Sequence, residues 1–227
     1  MPVRTSETAW TVGAHEASRR APAARGSEIG PGPWLTSSVA FAAVLATNWL
    51  SLGIDHLKTT LLNANWEFSW SHDVDTVVLV LGVWAAATGW RRQHRNRKLW
   101  AGIAAILTIF FLDEVSPLHA QIGAVSAGKL LYVPVLAGLA AGLWCLAAGT
   151  TERVLIGWGL AALLLSFGMH TPGLHILHRL GYTNWIYQTG VGFKEGAELA
   201  GLLLVVFALW RLSADIRSRP TPVDRQT

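Results

Sequence analysis

Charge is scarce in this chain. Of 227 residues only 18 are Lys or Arg and 14 are Asp or Glu, or 14% charged, whereas a soluble domain carries about 25%. The few charges fall in short clusters separated by apolar runs, a distribution that excludes an ordinary soluble core. Cysteine is almost absent. The lone Cys145 excludes an intrachain disulfide and any Cys-rich metal site, and inside its apolar run it reads as a small hydrophobe. Period-two alternation is lacking, so strands do not compete with helices. No internal repeat of the kind found in many transporters is present. The N-terminal region has no h-region of a cleavable signal, and Arg19-Arg20 is too far from an apolar run to read as a twin-arginine signal.

What is present is a series of apolar stretches, each approaching the roughly 20 residues that cross a bilayer. Six spans are predicted, at 34–53, 74–90, 99–112, 130–148, 154–169 and 192–212. The fold class is therefore all-α, a polytopic integral membrane bundle of six transmembrane helices. Residues 1–33, rich in Ala, Pro, Ser, Gly and Arg, read as a disordered tail, 34–213 as the membrane domain and 214–227 as a second tail.

Orientation follows from the basic residues. Fourteen of the 18 lie in the N-tail, the 91–98 loop, the turn at Arg153 or the C-tail, against Lys58, Lys129, Arg179 and Lys194 on the other side. The positive-inside rule places both termini in the cytoplasm, and an even number of spans requires the same. The net charge of +4 is thereby accounted for, so nucleic acid is not an expected partner. Trp34, Trp90, Trp100 and Trp210 fall at predicted cytoplasmic span ends, and Trp49, Trp66, Trp70, Tyr132, Tyr182 and Trp185 near the opposite interface, as aromatic belts. Membrane lipid is the surrounding partner. Gly138 and Gly142, and Ala197 and Gly201, have the small-xxx-small spacing of close helix packing. Packing within the chain is the expected use, with a homo-oligomer or another membrane protein as the alternative.

Six of the eight histidines sort to the outer side, as do eight of the fourteen acids. Ionisable residues at span depth are expensive and face a protein interior or a water-filled cavity. Asp113 and Glu114 follow the apolar run Ile109–Leu112, and Glu198 lies inside the last span, with Glu195 on the same face at i, i+3. Neighbouring carboxylates in low dielectric repel unless a metal, a shared proton or a lysine intervenes, and Lys129 and Lys194 are the local lysines. Ser116-Pro117 starts a short helix carrying His119. Thr171-Pro172-Gly173 breaks the chain after His170, before a second short helix with His175 and His178. Imidazoles with carboxylates suit zinc, iron or copper. The candidate ligands are Asp113, Glu114, His119, His170, His175, His178, Glu195 and Glu198, with Glu114 and Glu198 as candidate catalytic bases. By contrast, Asp55, His72, Asp73 and Asp75 read as solvated rim residues, and Glu195 equally as a helix-start acid complementing the dipole.

Leu112-Asp113-Glu114 with His119, followed by Glu195-x-x-Glu198-Leu199-x-Gly201, resembles a family of uncharacterised bacterial multi-pass membrane proteins with a DE-x4-HE pattern in one helix and E-x-x-E-L-x-G in the last. The resemblance covers spans three to six and implies a bacterial inner-membrane location, with no established activity. Ala120 stands where that family commonly has the second Glu. A weaker similarity, on Leu112–Glu114 and the His175/His178 pair, is to alkaline ceramidase-like membrane hydrolases, which hold zinc through His and Asp. The HxxxH pair of those enzymes is missing here.

Three functions stay open. One is a metal-dependent enzyme acting on a lipid or amphiphile. A second is a non-catalytic accessory or assembly subunit of a membrane complex. The third is a proton-coupled transporter, disfavoured by the near absence of ionisable residues in the cytoplasmic half.

Overall fold

The structure, a computed structural model, describes residues 29–55, 61–64, 69–94, 96–116, 132–147, 149–169 and 178–215. Every regular element among these residues is helical. The helices are α1 (Gly32–Asp55), α2 (Trp70–Arg92), α3 (Arg97–Val115), α4 (Tyr132–Leu146), α5 (Thr150–Gly168) and α6 (Trp185–Asp215), with a single 3₁₀ turn at His178–Leu180 before the last. Four of them, α1, α2, α5 and α6, are long and apolar enough to cross a membrane. Helix α4 is apolar but shorter, and α3 carries charges at both ends.

Around a hydrophobic core the surface differs from that of a water-soluble protein. Large apolar side chains such as Ile54, Val77, Trp84, Trp158 and Leu164 are exposed, whereas Asn48, Ser51, Ser71, Asp75, Gln188, Lys194 and Glu195 are buried. In hydrocarbon no hydrophobic force drives helices together, so close packing by small residues and internal hydrogen bonds must do so.

Helix α6 is the centre of the bundle and packs on α1, α2 and α5. Glycines face each neighbour. A Cβ on Gly192 would press on Leu45 and one on Gly196 on Phe41, both of α1. Gly201 and Gly159 oppose each other across α6 and α5, where an added Cβ on either lies within 3 Å of the other's carbonyl oxygen. The small-residue pattern is thus used inside the chain. Gly138 and Gly142 of α4 likewise rest on Ile106 and Ile103 of α3.

Helix α2 buries Ser71, Asp75, Val78, Gly82, Ala85, Ala86 and Gly89, a stripe at helical spacing. Gly82 lies under Val206 of α6, and Gly89 lies under the ring of Trp100, where a Cβ would come within 2.4 Å of the indole. Trp100 therefore departs from its expected place in the interfacial belt. It is fully buried in the α2–α3 hairpin, and its indole N–H donates to Gln93 Oε1 at 2.8 Å. The belt reading overlooked a neighbouring glycine that opens a slot for the ring.

The last helix also begins earlier than predicted. Asn184 Oδ1 accepts from the Ile186 backbone N–H at 2.8 Å, an N-cap bond, after Gly181 has turned the chain at φ 89°. Lys194 and Glu195 consequently lie more than two turns inside α6, so Glu195 is not a helix-start acid.

The α5–α6 contact predicts a clear contrast. Gly201→Val should destabilise the bundle by about 1–3 kcal/mol through overpacking against backbone. Gly157→Ala, where a Cβ meets nothing within 4 Å, should be silent in the same thermal-unfolding measurement in detergent. Equal melting of both variants would show that the helices do not meet at these glycines.

Candidate functional site

The site lies at one end of the bundle, where α2 begins, α3 and α5 end, and α6 passes between them. Helix α2 contributes His72 and Asp75, one turn apart. Helix α3 contributes Glu114, α5 contributes Ser166, and α6 contributes Lys194, Glu195 and Glu198.

Three polar contacts organise it. His72 Nδ1 is in hydrogen-bond contact with Glu114 Oε1, tying α2 to α3. Lys194 Nζ donates to Glu195 Oε1 at 2.6 Å and lies 4.0 Å from Glu198 Oε2. Ser166 Oγ donates to the same Glu198 oxygen at 2.9 Å, tying α5 to α6. Lys194 and Glu195 are both buried, at 8% and 5% exposure. Two opposite charges so placed in low dielectric are tenable only as a hydrogen-bonded pair.

Asp75 is the outlier. It is 3% exposed, and its Oδ1 has no hydrogen-bond partner among the described residues. The charges of Glu198, Glu114 and Glu195 act on it unfavourably, and that of Lys194 favourably. Four carboxylates, of Asp75, Glu114, Glu195 and Glu198, thus share one lysine and one imidazole.

A second polar network braces the same end. Asn48 of α1 donates through Nδ2 to the Gln188 carbonyl at 2.8 Å and to Gln188 Oε1 at 3.0 Å, and its Oδ1 accepts from the Ala64 N–H at 3.0 Å. Gln188 Nε2 donates to the Tyr182 carbonyl at 2.6 Å. Trp70 Nε1 donates to Thr47 Oγ1 at 2.9 Å, fixing the start of α2 against α1. Trp49 Nε1 donates to Thr189 Oγ1 at 3.0 Å in the same way for α6.

Of the residues singled out from sequence, Glu114, Glu195 and Glu198 enter the cluster. Asp113 is beside Glu114 on the last turn of α3, half-buried and engaged in an interaction of its own. His119, His170 and His175 lie outside the described residues, as do Lys129 and the side chain of His178. Among the described residues no three His, Cys, Asp or Glu side chains are spaced to hold a metal ion.

Sequence reasoning missed His72, Asp75 and Ser166. The expectation that His72 and Asp75 are solvated rim residues does not hold, because both turn inward; Asp73 between them is exposed, as expected. The available signal was register. Asp75 is seven residues before Gly82 and fourteen before Gly89, on the small-residue stripe that faces the bundle.

The apolar exterior, the span-length helices and the buried charges mark an all-helical, membrane-compatible bundle. The chain belongs to the family described as Domain of unknown function (DUF8692), whose profile matches residues 39–212, from within α1 to within α6. No curated protein and no solved structure matches the chain.

The buried pair can be tested directly. Lys194→Met leaves Glu195 unpaired and should cost about 3–5 kcal/mol, read as a lowered unfolding temperature. Lys194→Met combined with Glu195→Gln should recover most of that loss. A silent single variant would show that the two groups are not a buried ion pair.

Proposed function

We propose that this chain is a six-span protein of the bacterial inner membrane, with both termini cytoplasmic, and that the His/carboxylate cluster is a metal-dependent catalytic site on its outer side acting on a lipid or amphiphile. The observation that carries the reading is Asp75, a buried carboxylate with one oxygen unpartnered among the described residues and three other carboxylates nearby. Such an excess of negative groups calls for a cation or protons beyond Lys194.

Zinc, iron or copper suits imidazole and carboxylate donors; His72, Asp75, Glu114, Glu195 and Glu198 are the candidates in the cluster, which would have to draw closer to hold an ion, and Asp113, His119, His170, His175 and His178 are further candidates from the sequence. A metal held there would supply Lewis-acid activation of water for hydrolysis of an ester or amide. Glu114, oriented by His72, or Glu198, oriented by Ser166, would be the base that takes a proton from water and returns it to the leaving oxygen or nitrogen. Glu198 is about one-third exposed, which gives an amphiphile a way in.

A second reading, the accessory or assembly subunit, draws on the Lys194 ammonium. It contacts both Glu195 and Glu198 and so closes part of the cluster without any ligand.

Elemental mass spectrometry on the detergent-purified chain decides between them. The enzyme reading expects about one tightly held transition metal per chain, a full structural or catalytic complement. Asp75→Asn/Glu198→Gln should lose it. Metal absent from both proteins, with the wild type stably folded, rejects the catalytic site and favours the accessory subunit.

A further inference from the structure

At the opposite end of the bundle, α2 and α6 enclose a groove of about 270 Å³ lined by Trp84, Thr88, Arg91, Arg92, Trp210 and Ser213. Its floor is aromatic. Trp84 and Trp210 meet edge to face with ring centroids 4.9 Å apart, and Trp84 is largely exposed. Its rim is cationic, since Arg91 and Arg92 are both exposed in the last turn of α2.

The other arginines described at this end are occupied. Arg211 Nε donates to Glu152 Oε1 at 3.3 Å, Arg97 lies 4.5 Å over the ring of Trp90, and Arg153 lies 5.5 Å from that of Trp144. Arg91 and Arg92 have no carboxylate or aromatic partner among the described residues. The hydroxyls beside them are satisfied within their own helices, Thr88 Oγ1 donating to the Trp84 carbonyl and Ser213 Oγ to the Trp210 carbonyl, each at 2.9 Å. Among the described residues the guanidinium groups are therefore the charged donors of the groove without a partner.

We propose that this groove is a binding site for one anionic phospholipid, with its phosphate held by Arg91 and Arg92 and its glycerol and upper acyl chains laid on Trp84 and Trp210. The two halves of the groove match the two halves of such a lipid. Guanidinium forks suit phosphate oxygens, and indole rings suit the boundary between headgroup and acyl chain. Basic clefts between helices at the cytoplasmic side meet the leaflet face that is rich in anionic lipid. The C-terminal dipole of α2 also favours two arginines there, but it requires neither the cleft nor the paired indoles. The inference depends on the membrane placement of the chain and not on the catalytic reading, so a metal-free protein leaves it intact.

The test is native mass spectrometry of the full chain in an uncharged detergent, titrated with phosphatidylglycerol and, separately, phosphatidylcholine. The wild type should retain one phosphatidylglycerol in preference to phosphatidylcholine. Arg91→Gln/Arg92→Gln should weaken that binding about tenfold or more. Arg97→Gln/Lys98→Gln, with equal charge loss outside the groove, should weaken it much less. Trp84→Leu should weaken it with both arginines in place. Equal losses in the two charge pairs would mean diffuse surface attraction and overturn the proposal. So would equal retention of phosphatidylcholine, displacement by glycerol phosphate at the lipid's own concentration, or a dimer of the chain that occupies the groove and is lost in Arg91→Gln/Arg92→Gln.

Discussion

Lys194 and Glu195 are adjacent in sequence and sit together on the central helix, out of contact with solvent. A charge pair in that position constrains its surroundings. Water cannot finish its coordination, so the neighbouring helices must deliver polar groups to the same level. Ser166 arrives from α5, Asp75 and His72 from α2, and Glu114 from α3. The glycines of α6 set how closely those helices can approach, since Gly201 against Gly159 brings α5 into backbone contact and Gly192 and Gly196 do the same for α1. The polar cluster and the glycine packing therefore belong to a single design. Wider helix spacing would separate Ser166 from Glu198 and open the pair to its surroundings, and an apolar α6 would give the neighbours no reason to carry charges inward.

The two ends of the bundle divide their chemistry. At the end where α2 begins, acids are in excess, with Asp75 and Glu195 buried. At the end where α2 stops, arginines are in excess and mostly sit on indole rings or on Glu152. The middle is apolar, small-residue packing. Among the described residues few ionisable side chains lie in that middle zone.

Much of this was legible in the sequence, and the misses have physical causes. The helices were visible because runs of apolar residues long enough to span a bilayer are hard to use otherwise. Glu114, Glu195 and Glu198 stood out because each adjoins or lies within such a run. Asp75 and His72 did not, because a polar residue near the start of a span can face water or the interior, and only the rotation of the helix decides. That rotation was written in the spacing of Gly82, Ala86 and Gly89, a weaker signal than a hydrophobic run. The start of α6 was misplaced because Asn184, Gln188 and Thr189 look like loop residues. In the fold they cap the helix and bind α1. Trp100 was misread because a tryptophan at a span end ordinarily marks the interface.

The slot that Gly89 provides for Trp100 has a mechanical consequence. It pins the α2–α3 hairpin at one end, while the His72–Glu114 contact closes it at the other. From Gly89 to His72 the arm is roughly 25 Å long, so each degree of splay at the pin moves the far end by about 0.4 Å. A hydrogen bond tolerates only a few tenths of an ångström. The indole in its slot thus acts as the hinge pin of a pair of tongs, and the alignment of the jaws at Glu114 depends on a residue at the far end of the bundle as well as on the local Trp70–Thr47 bond.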